Sequence, residues 1–244
     1  MTIPRDHPRY RSLVARESLA SRCREGIVSL EGLAAHGRGE AFDYLLGERT
    51  TESAFLAERT AAAFLLCARN PVISVNGNTA ALAAGEIRDL QEATGAKVEV
   101  NLFHRTEERI EKIRRLLEDH GVRVLEGEAQ RLLALSHDRA YCLVEGIFSA
   151  DVILVPLEDG DRCQVLAGMG KTVITIDLNP LSRTARAATL TIVDELTRAL
   201  PNITRFSHSL RQEESLELIS VHDNAVLLKE ALGEMRRRLG DALD

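Results

Sequence analysis

From about residue 70 onward, short β-branched apolar runs alternate with stretches of helical character, and few architectures accommodate that alternation. Val72 to Val75 is followed by Asn76-Gly77-Asn78 and a helical stretch over 79–92, and 97–101 reads as the next strand. Thr106 offers a helix N-cap, and Glu107 and Glu108 suit the positive end of the helix it starts. That helix runs to His120, Gly121 closes it, and 122–125 reads as a third strand. The run 152–156 is apolar throughout, as expected of a strand covered on both faces. A helix near 162–169, a strand over 172–176, a further strand over 190–193 with a short helix behind it, and a final amphipathic helix complete the pattern. Asp223 or Asn224 caps that last helix, which runs to Arg238. The expected fold is α/β: a doubly wound, mostly parallel Rossmann-like sheet with right-handed crossovers.

The first 70 residues differ. They read as two helices, near 10–25 and 53–67, bracketing the segment Ala35-His36-Gly37-Arg38-Gly39-Glu40-Ala41-Phe42-Asp43-Tyr44. Glycines on either side of Arg38 suggest a loop that adopts positive φ and lets backbone approach a ligand. A guanidinium fork there suits phosphate or carboxylate. His36 reads equally well as a structural histidine. No Ser/Pro-rich linker divides the chain, so 1–244 is expected to be one domain. It comprises a helical N-terminal layer (1–70), a ligand-binding sheet (71–200) and a C-terminal helical segment (201–244).

Composition narrows the class of partner. A net charge of −6 and a pI near 5.7 argue against nucleic acid and anionic membranes. No apolar run approaches the roughly 18 residues of a membrane span, and the N-terminus is not a signal peptide, so a cytoplasmic protein is expected. Cys23, Cys67, Cys142 and Cys163 lack zinc or disulfide spacing and read as reduced, mostly buried thiols.

Ligands of open α/β sheets bind outside the carboxyl ends of the strands, and the polar clusters fall there. Asn76-Gly77-Asn78 is either a turn ending in a helix N-cap or a set of donors for a phosphate. Asn101 ends the next strand. Glu158-Asp159-Gly160-Asp161 is either a solvated turn or a carboxylate group suited to a hydrated Mg²⁺ or an ammonium. In 177–184, Asn179-Pro180 shapes a turn, and Ser182, Arg183 and Thr184 are phosphate-seeking side chains. Gly170-Lys171-Thr172 lacks the upstream glycine of a P-loop and leads into a strand. Gly37-Arg38-Gly39 and Gly168-Met169-Gly170 both lack the third glycine of a dinucleotide fingerprint.

Together these blocks resemble the archaeal phosphopantothenate synthetase (4-phosphopantoate–β-alanine ligase) family. The matching stretches include His7-Pro8-Arg9-Tyr10, Arg16-Glu17, Gly32 through Glu48, Asn70 through Asn78 and Glu99 through Phe103. They continue with Val155 through Arg162, Ile176 through Thr184 and Ile192-Val193-Asp194. The resemblance implies a homodimer that joins 4-phosphopantoate to β-alanine with ATP and Mg²⁺, releasing AMP and diphosphate, in coenzyme A biosynthesis. It implies ATP contacts at Arg16, Arg38, Asp177, Leu178, Asn179, Arg183, Thr184, Glu195 and Leu196. Glu195 stands where the family pattern leads us to expect Asn. Within that reading, Arg38 and Arg183 neutralise phosphate charge and His36 accepts a proton from the amine. Asn76, Gly77, Asn78 and Asn101 are expected to hold the phosphorylated substrate, and Glu158, Asp159 and Asp161 to steady the metal. An ADP-forming enzyme on the same scaffold and a non-catalytic nucleotide or coenzyme A sensor are the alternatives.

Overall fold

Five short strands pair side by side and all run the same way in the computed structural model, which describes residues 3–241. They are β1 (Pro71–Val75), β2 (Lys97–Val100), β5 (Val152–Leu154), β6 (Thr172–Ile176) and β7 (Leu190–Ile192), in the order β2-β1-β5-β6-β7. Register sets Val72 beside Lys97 on one flank and beside Ile153 on the other. A small antiparallel pair, β3 (Gln130–Arg131) and β4 (Tyr141–Cys142), stands apart. Strand order reverses between β1 and β5, which creates the crevice where doubly wound sheets take ligands. The expected fold class is the one observed.

Period-2 alternation explains why both faces are dry. Ile73, Val75, Val98, Val100, Leu154, Ile174, Ile176 and Ile192 point into one apolar cluster. That cluster is completed by α1 (Tyr10–Arg24), α3 (Glu52–Cys67), α4 (Gly77–Thr94), α5 (Glu107–Asp119) and α8 (Leu196–Ser209). Val72, Ile153, Val155 and Val173 point the other way, onto Cys163 and Leu166 of α6 (Gly160–Gly168) and onto Leu133, Cys142 and Ile147. A third cluster joins α2 (Leu30–Leu46), α7 (Arg183–Ala187) and α10 (Asn224–Asp241) through Leu46, Ala185, Leu228 and Met235. Helix α9 (Gln212–Val221) packs on α3.

Three expectations are corrected. The segment around Arg38 is not a loop: 30–46 is one helix, N-capped by Ser29 and closed by Gly47 at φ 87°. Gly37 and Gly39 sit mid-helix and neither has positive φ. Residues 122–125 form no strand; a single bridge, Val98 to Val124, marks the place. The helix behind β7 is 14 residues long and is followed by α9, because its stripe of Leu196, Ala199, Leu200 and Ile203 is buried against the sheet-side core.

Candidate active site

The carboxyl ends of β5, β6 and β7 open into a cavity of about 630 Å³, walled also by α2 and by Arg5 and residues 7–12. From the sheet side come Leu157, Glu158 and Asp159, then Asp177, Leu178, Asn179, Ser182 and Thr184, then Asp194, Glu195, Leu196 and Arg198. Helix α2 contributes His36, Arg38, Gly39 and Asp43, and Asn78 comes from the first turn of α4. Arg16, Asn76, Gly77, Asn101, Asp161 and Arg183 lie outside this lining.

The loop after β6 is wired to itself. Asp177 Oδ1 accepts from the Asn179 amide at 2.9 Å, and its other oxygen accepts from the Ser182 hydroxyl. Ser182 Oγ in turn accepts from the Ala185 amide at 2.9 Å and so caps α7. Thr184 donates to the Glu158 carbonyl at 2.9 Å, joining this loop to the one after β5. Burial raises the Asp177 carboxyl, against the pull of the Ser182 and Asn179 bonds. Of the three side chains expected to seek phosphate, Ser182 and Thr184 therefore hold the loop, while Arg183 pairs outward with Asp161 at 2.5 Å.

Asn76 is an N-cap and a brace. Its Oδ1 accepts from the Thr79 amide at 3.0 Å, and its Nδ2 donates to the carbonyls of Pro156 and Leu157, both at 3.2 Å. Leu157 sits in the left-handed region at φ 55°, a strained conformation for a bulky side chain, at the cavity wall. Gly77 must be glycine because a Cβ there would lie 2.3 Å from the Ile27 carbonyl oxygen. Asn101 is fully buried and donates to the Tyr141 carbonyl at 2.8 Å. Asn78 alone of the four lines the cavity, held by its bond to the Gly32 carbonyl at 2.8 Å.

The three carboxylates after β5 are already spoken for. Glu158 is buried between Arg162 and Arg139, Asp159 lies 2.7 Å from Arg139, and Asp161 meets Arg183. Arg162, with no exposed surface, also donates to Ser74 of β1 at 3.0 Å. Among the described residues no group of three His, Cys, Asp or Glu is placed to hold a metal ion. Asp159, with its side chain 43% exposed, is the carboxylate of the three that is accessible within the cavity.

On α2 the contrast between neighbours is chemical. Arg38 is exposed at the cavity wall and has no ion pair or hydrogen bond among the described residues. Arg16 grips Glu40 with both bonds from Nε, at 2.9 and 2.8 Å. Burial lowers the His36 pKa below 6.5, and its Nε2 is buried with no hydrogen-bond partner among the described residues. A neutral imidazole with a vacant nitrogen results.

Two parts of the wall escape sequence reasoning. Residues 5–12 bring Arg5, His7, Arg9 and Arg11 to the cavity; Arg9 lies over the Tyr44 ring at 4.4 Å and bonds Ser12 at 2.9 Å. Only the matching block at 7–10 signalled them. The second part is the largely buried arginine Arg198, which donates to Asp43 at 2.5 Å and to Asp194 at 2.5 Å. Burial alone would lower its pKa, yet the two carboxylates hold it above the ordinary arginine value. Glu195 accepts from the Thr197 amide at 2.7 Å and caps α8, which occupies its side chain in the fold. Its backbone N–H donates to Asp194 at 2.7 Å.

Fold and site together define an open parallel α/β protein with a polar cavity at the carboxyl ends of its strands, where such sheets take ligands. Comparison with known proteins names the family. The model of the phosphopantothenate/pantothenate synthetase family matches residues 53–238. A 4-phosphopantoate–beta-alanine ligase of Methanospirillum hungatei JF-1 is 59% identical over 242 residues, covering 99% of this chain and 100% of that protein. Proteins of the same name from Methanosarcina mazei and Thermococcus kodakarensis are 56% and 47% identical. These matches cover 97% and 98% of this chain, and 95% and 94% of the respective relatives. The chain belongs to the phosphopantothenate/pantothenate synthetase family.

Proposed function

We propose that this protein condenses 4-phosphopantoate with β-alanine to 4′-phosphopantothenate, consuming ATP and releasing AMP and diphosphate. The observation that carries the reading is Arg38, a guanidinium on the cavity wall with no ion pair or hydrogen bond among the described residues, at a cavity that Arg5, Arg9 and Arg11 also line and where Arg198 is neutralised by Asp43 and Asp194. A cation left free at such a site is suited to an oxyanion, and arginine meets phosphate with two parallel bonds. The likeness to three ligases of that name supports the same substrates here.

A carboxylate is a poor electrophile at neutral pH. Transfer of AMP to the pantoate carboxylate forms a C–O–P link and expels diphosphate. The β-alanine amine then attacks the acyl carbon, the C–N bond forms and AMP leaves with its phosphate oxygen. Arg38 balances charge on the phosphates as the bond to diphosphate breaks. His36, neutral because it is buried, accepts the proton that the amine releases. The loops at 177–179 and 194–196 hold the nucleotide, largely through backbone groups that the internal hydrogen bonds hold in place. Mg²⁺ enters this reading on the triphosphate, whose charge it would neutralise, with Asp159, the exposed one of the two carboxylates after β5 that line the cavity, beside it. Asn78, at the N-terminal turn of α4, is suited to the phosphate of 4-phosphopantoate. Self-association into a dimer, a single catalytic domain over 1–244 and a cytoplasmic setting belong to the same reading; no described helix is long and apolar enough to cross a membrane.

The test is a product assay with 4-phosphopantoate, β-alanine, Mg²⁺ and ATP. AMP and diphosphate formed only when both substrates are present support the ligase. ADP in place of AMP replaces it with an acyl-phosphate enzyme, and ATP binding without turnover replaces it with a sensor.

A further inference from the structure

Behind the wall formed by Asp194 and Arg198 lies a carboxyl group that the chemistry above does not use. Glu58, in the middle of α3, has no exposed surface. Its Oε2 accepts from Asn202 Nδ2 at 2.8 Å, while Oε1 is buried and finds no hydrogen-bond partner among the described residues. The carboxylate it faces is Asp194, itself buried.

Charge counting around this point does not balance. Asp43, Asp194 and Glu58 bring three carboxyl groups to one guanidinium, that of Arg198. Asp43 and Asp194 share the arginine, and Asp194 also accepts from Thr50 at 2.5 Å and from the Glu195 amide. Glu58 has only the neutral amide of Asn202. On the other helices packed on α3, Glu214 of α9 pairs with Arg59 and Glu234 of α10 with Arg49, and the charged groups that act on Glu58 are Asp194 and Arg198. Two adjacent buried carboxylates with no second cation cannot both ionise, so one proton stays between them. Asp194, which accepts from Arg198, Thr50 and a backbone N–H, is the better-stabilised anion.

We propose that Glu58 is a positioning residue that stands as the neutral acid and donates a hydrogen bond from its carboxyl O–H to Asp194, fixing the 194–196 wall of the cavity. Burial first, and the Asp194 charge second, raise its pKa, in keeping with that arrangement. Asp194 thereby has each of its lone-pair directions filled, and the Glu195 amide and Arg198 fork stay where the ligand needs them. This rests on the nucleotide reading only for its effect on binding; the proton itself does not depend on it.

The experiment compares wild type with Glu58→Gln and Glu58→Leu by thermal melting between about pH 5 and pH 9 and by calorimetric titration with ATP. Glutamine mimics the neutral acid and can donate to Asp194; leucine cannot. A carboxyl with a raised folded-state pKa binds more protons folded than unfolded, so its contribution to stability falls as pH rises above the ordinary carboxyl value of 4.5. Wild type should therefore lose melting temperature with rising pH more steeply than Glu58→Gln. Glu58→Gln should keep wild-type ATP affinity at neutral pH, and Glu58→Leu should lose roughly tenfold or more. Parallel melting profiles for wild type and Glu58→Gln, or an affinity loss in Glu58→Gln equal to that in Glu58→Leu, overturn the proposal. Should wild type bind no ATP, the nucleotide reading fails, and the melting comparison still decides the protonation of Glu58. Glu58→Gln carries the test if Glu58→Leu does not fold.

Discussion

Arg198 Nη2 lies 2.5 Å from Asp43 Oδ1 across 155 residues of chain, and that bond ties the α2 wall of the cavity to the helix that begins just after Glu195. Both side chains are largely buried, at 13% and 11% exposure. Arg198→Ala would leave Asp43 and Asp194 facing each other without a cation, and breaking a buried pair in this way costs about 3–5 kcal/mol. Arg198→Lys keeps the charge but cannot bridge both carboxylates with a planar fork, and it should lose less. Urea denaturation of the two variants measures the difference; equal stability of Arg198→Ala and wild type would refute the bracing role.

Arg38 has nothing to release when it is removed, because no partner among the described residues holds it. Arg38→Ala should unfold at the wild-type temperature, while kcat/KM falls by roughly 10- to 100-fold, the worth of one or two charged hydrogen bonds. Steady-state kinetics beside a melting curve separates the two effects. Normal turnover would remove Arg38 from the site.

Gly39 lies in mid-helix at the cavity wall, where a Cβ would come within 3.5 Å of Leu178 and no closer to anything else. Glycine within a helix costs about 0.5–1 kcal/mol relative to alanine. Gly39→Ala should therefore raise stability while it narrows the space for ligand. A higher melting temperature with a weaker ATP affinity is the expected pairing, and an unchanged affinity would show that the wall tolerates the methyl.

His36 has a folded-state pKa below its ordinary 6.5 because burial penalises the imidazolium. The folded protein then binds fewer protons than the unfolded chain just below pH 6.5. Its contribution to stability is present above that pH and is lost as the pH falls through 6.5 toward the folded value. His36→Asn should flatten this acid-side loss in melting experiments. The same variant should cost 10²- to 10⁴-fold in kcat if the imidazole accepts the amine proton, and a smaller loss would assign the proton to water.

The sheet was legible because its strands repeat a two-residue alternation or run apolar throughout, and β6 at 172–176 falls where the Thr-Val-Ile-Thr-Ile run predicts it. Thr106 caps α5 as its side chain and the acids behind it foretell, accepting from the Arg109 amide at 3.2 Å. Helix α2 was misread because Gly37 and Gly39 lower intrinsic helix propensity, while the caps Ser29 and Gly47 and the packing of Leu46 restore it. At the site, the cavity-lining positions after β5 and β6 were legible from strand ends alone, whereas 194–196 after β7 came from the family resemblance. Which side chains face the cavity was not: Asn76, Asn101 and Arg183 have the chemistry of ligand contacts but make their bonds to Leu157, Tyr141 and Asp161. The cluster of Asp43, Glu58, Asp194 and Arg198 draws on α2, α3 and the loop into α8, and no local pattern announces a pairing that only tertiary packing creates.

The placement of α1 and α2 at the front of the chain has a bearing on the order in which the molecule assembles. These helices leave the ribosome before the first strand exists, with the cavity-facing side chains of α2 lacking a surface to cover. A sheet whose neighbouring strands are joined by long parallel crossovers forms slowly, because distant segments must meet before any contact rewards them. Arg198 is translated last of the groups that hold Asp43 in place. The cavity is accordingly a late product of synthesis: the α2 wall is made first, and the residue that locks it to the sheet side is added only after about four-fifths of the 244 residues.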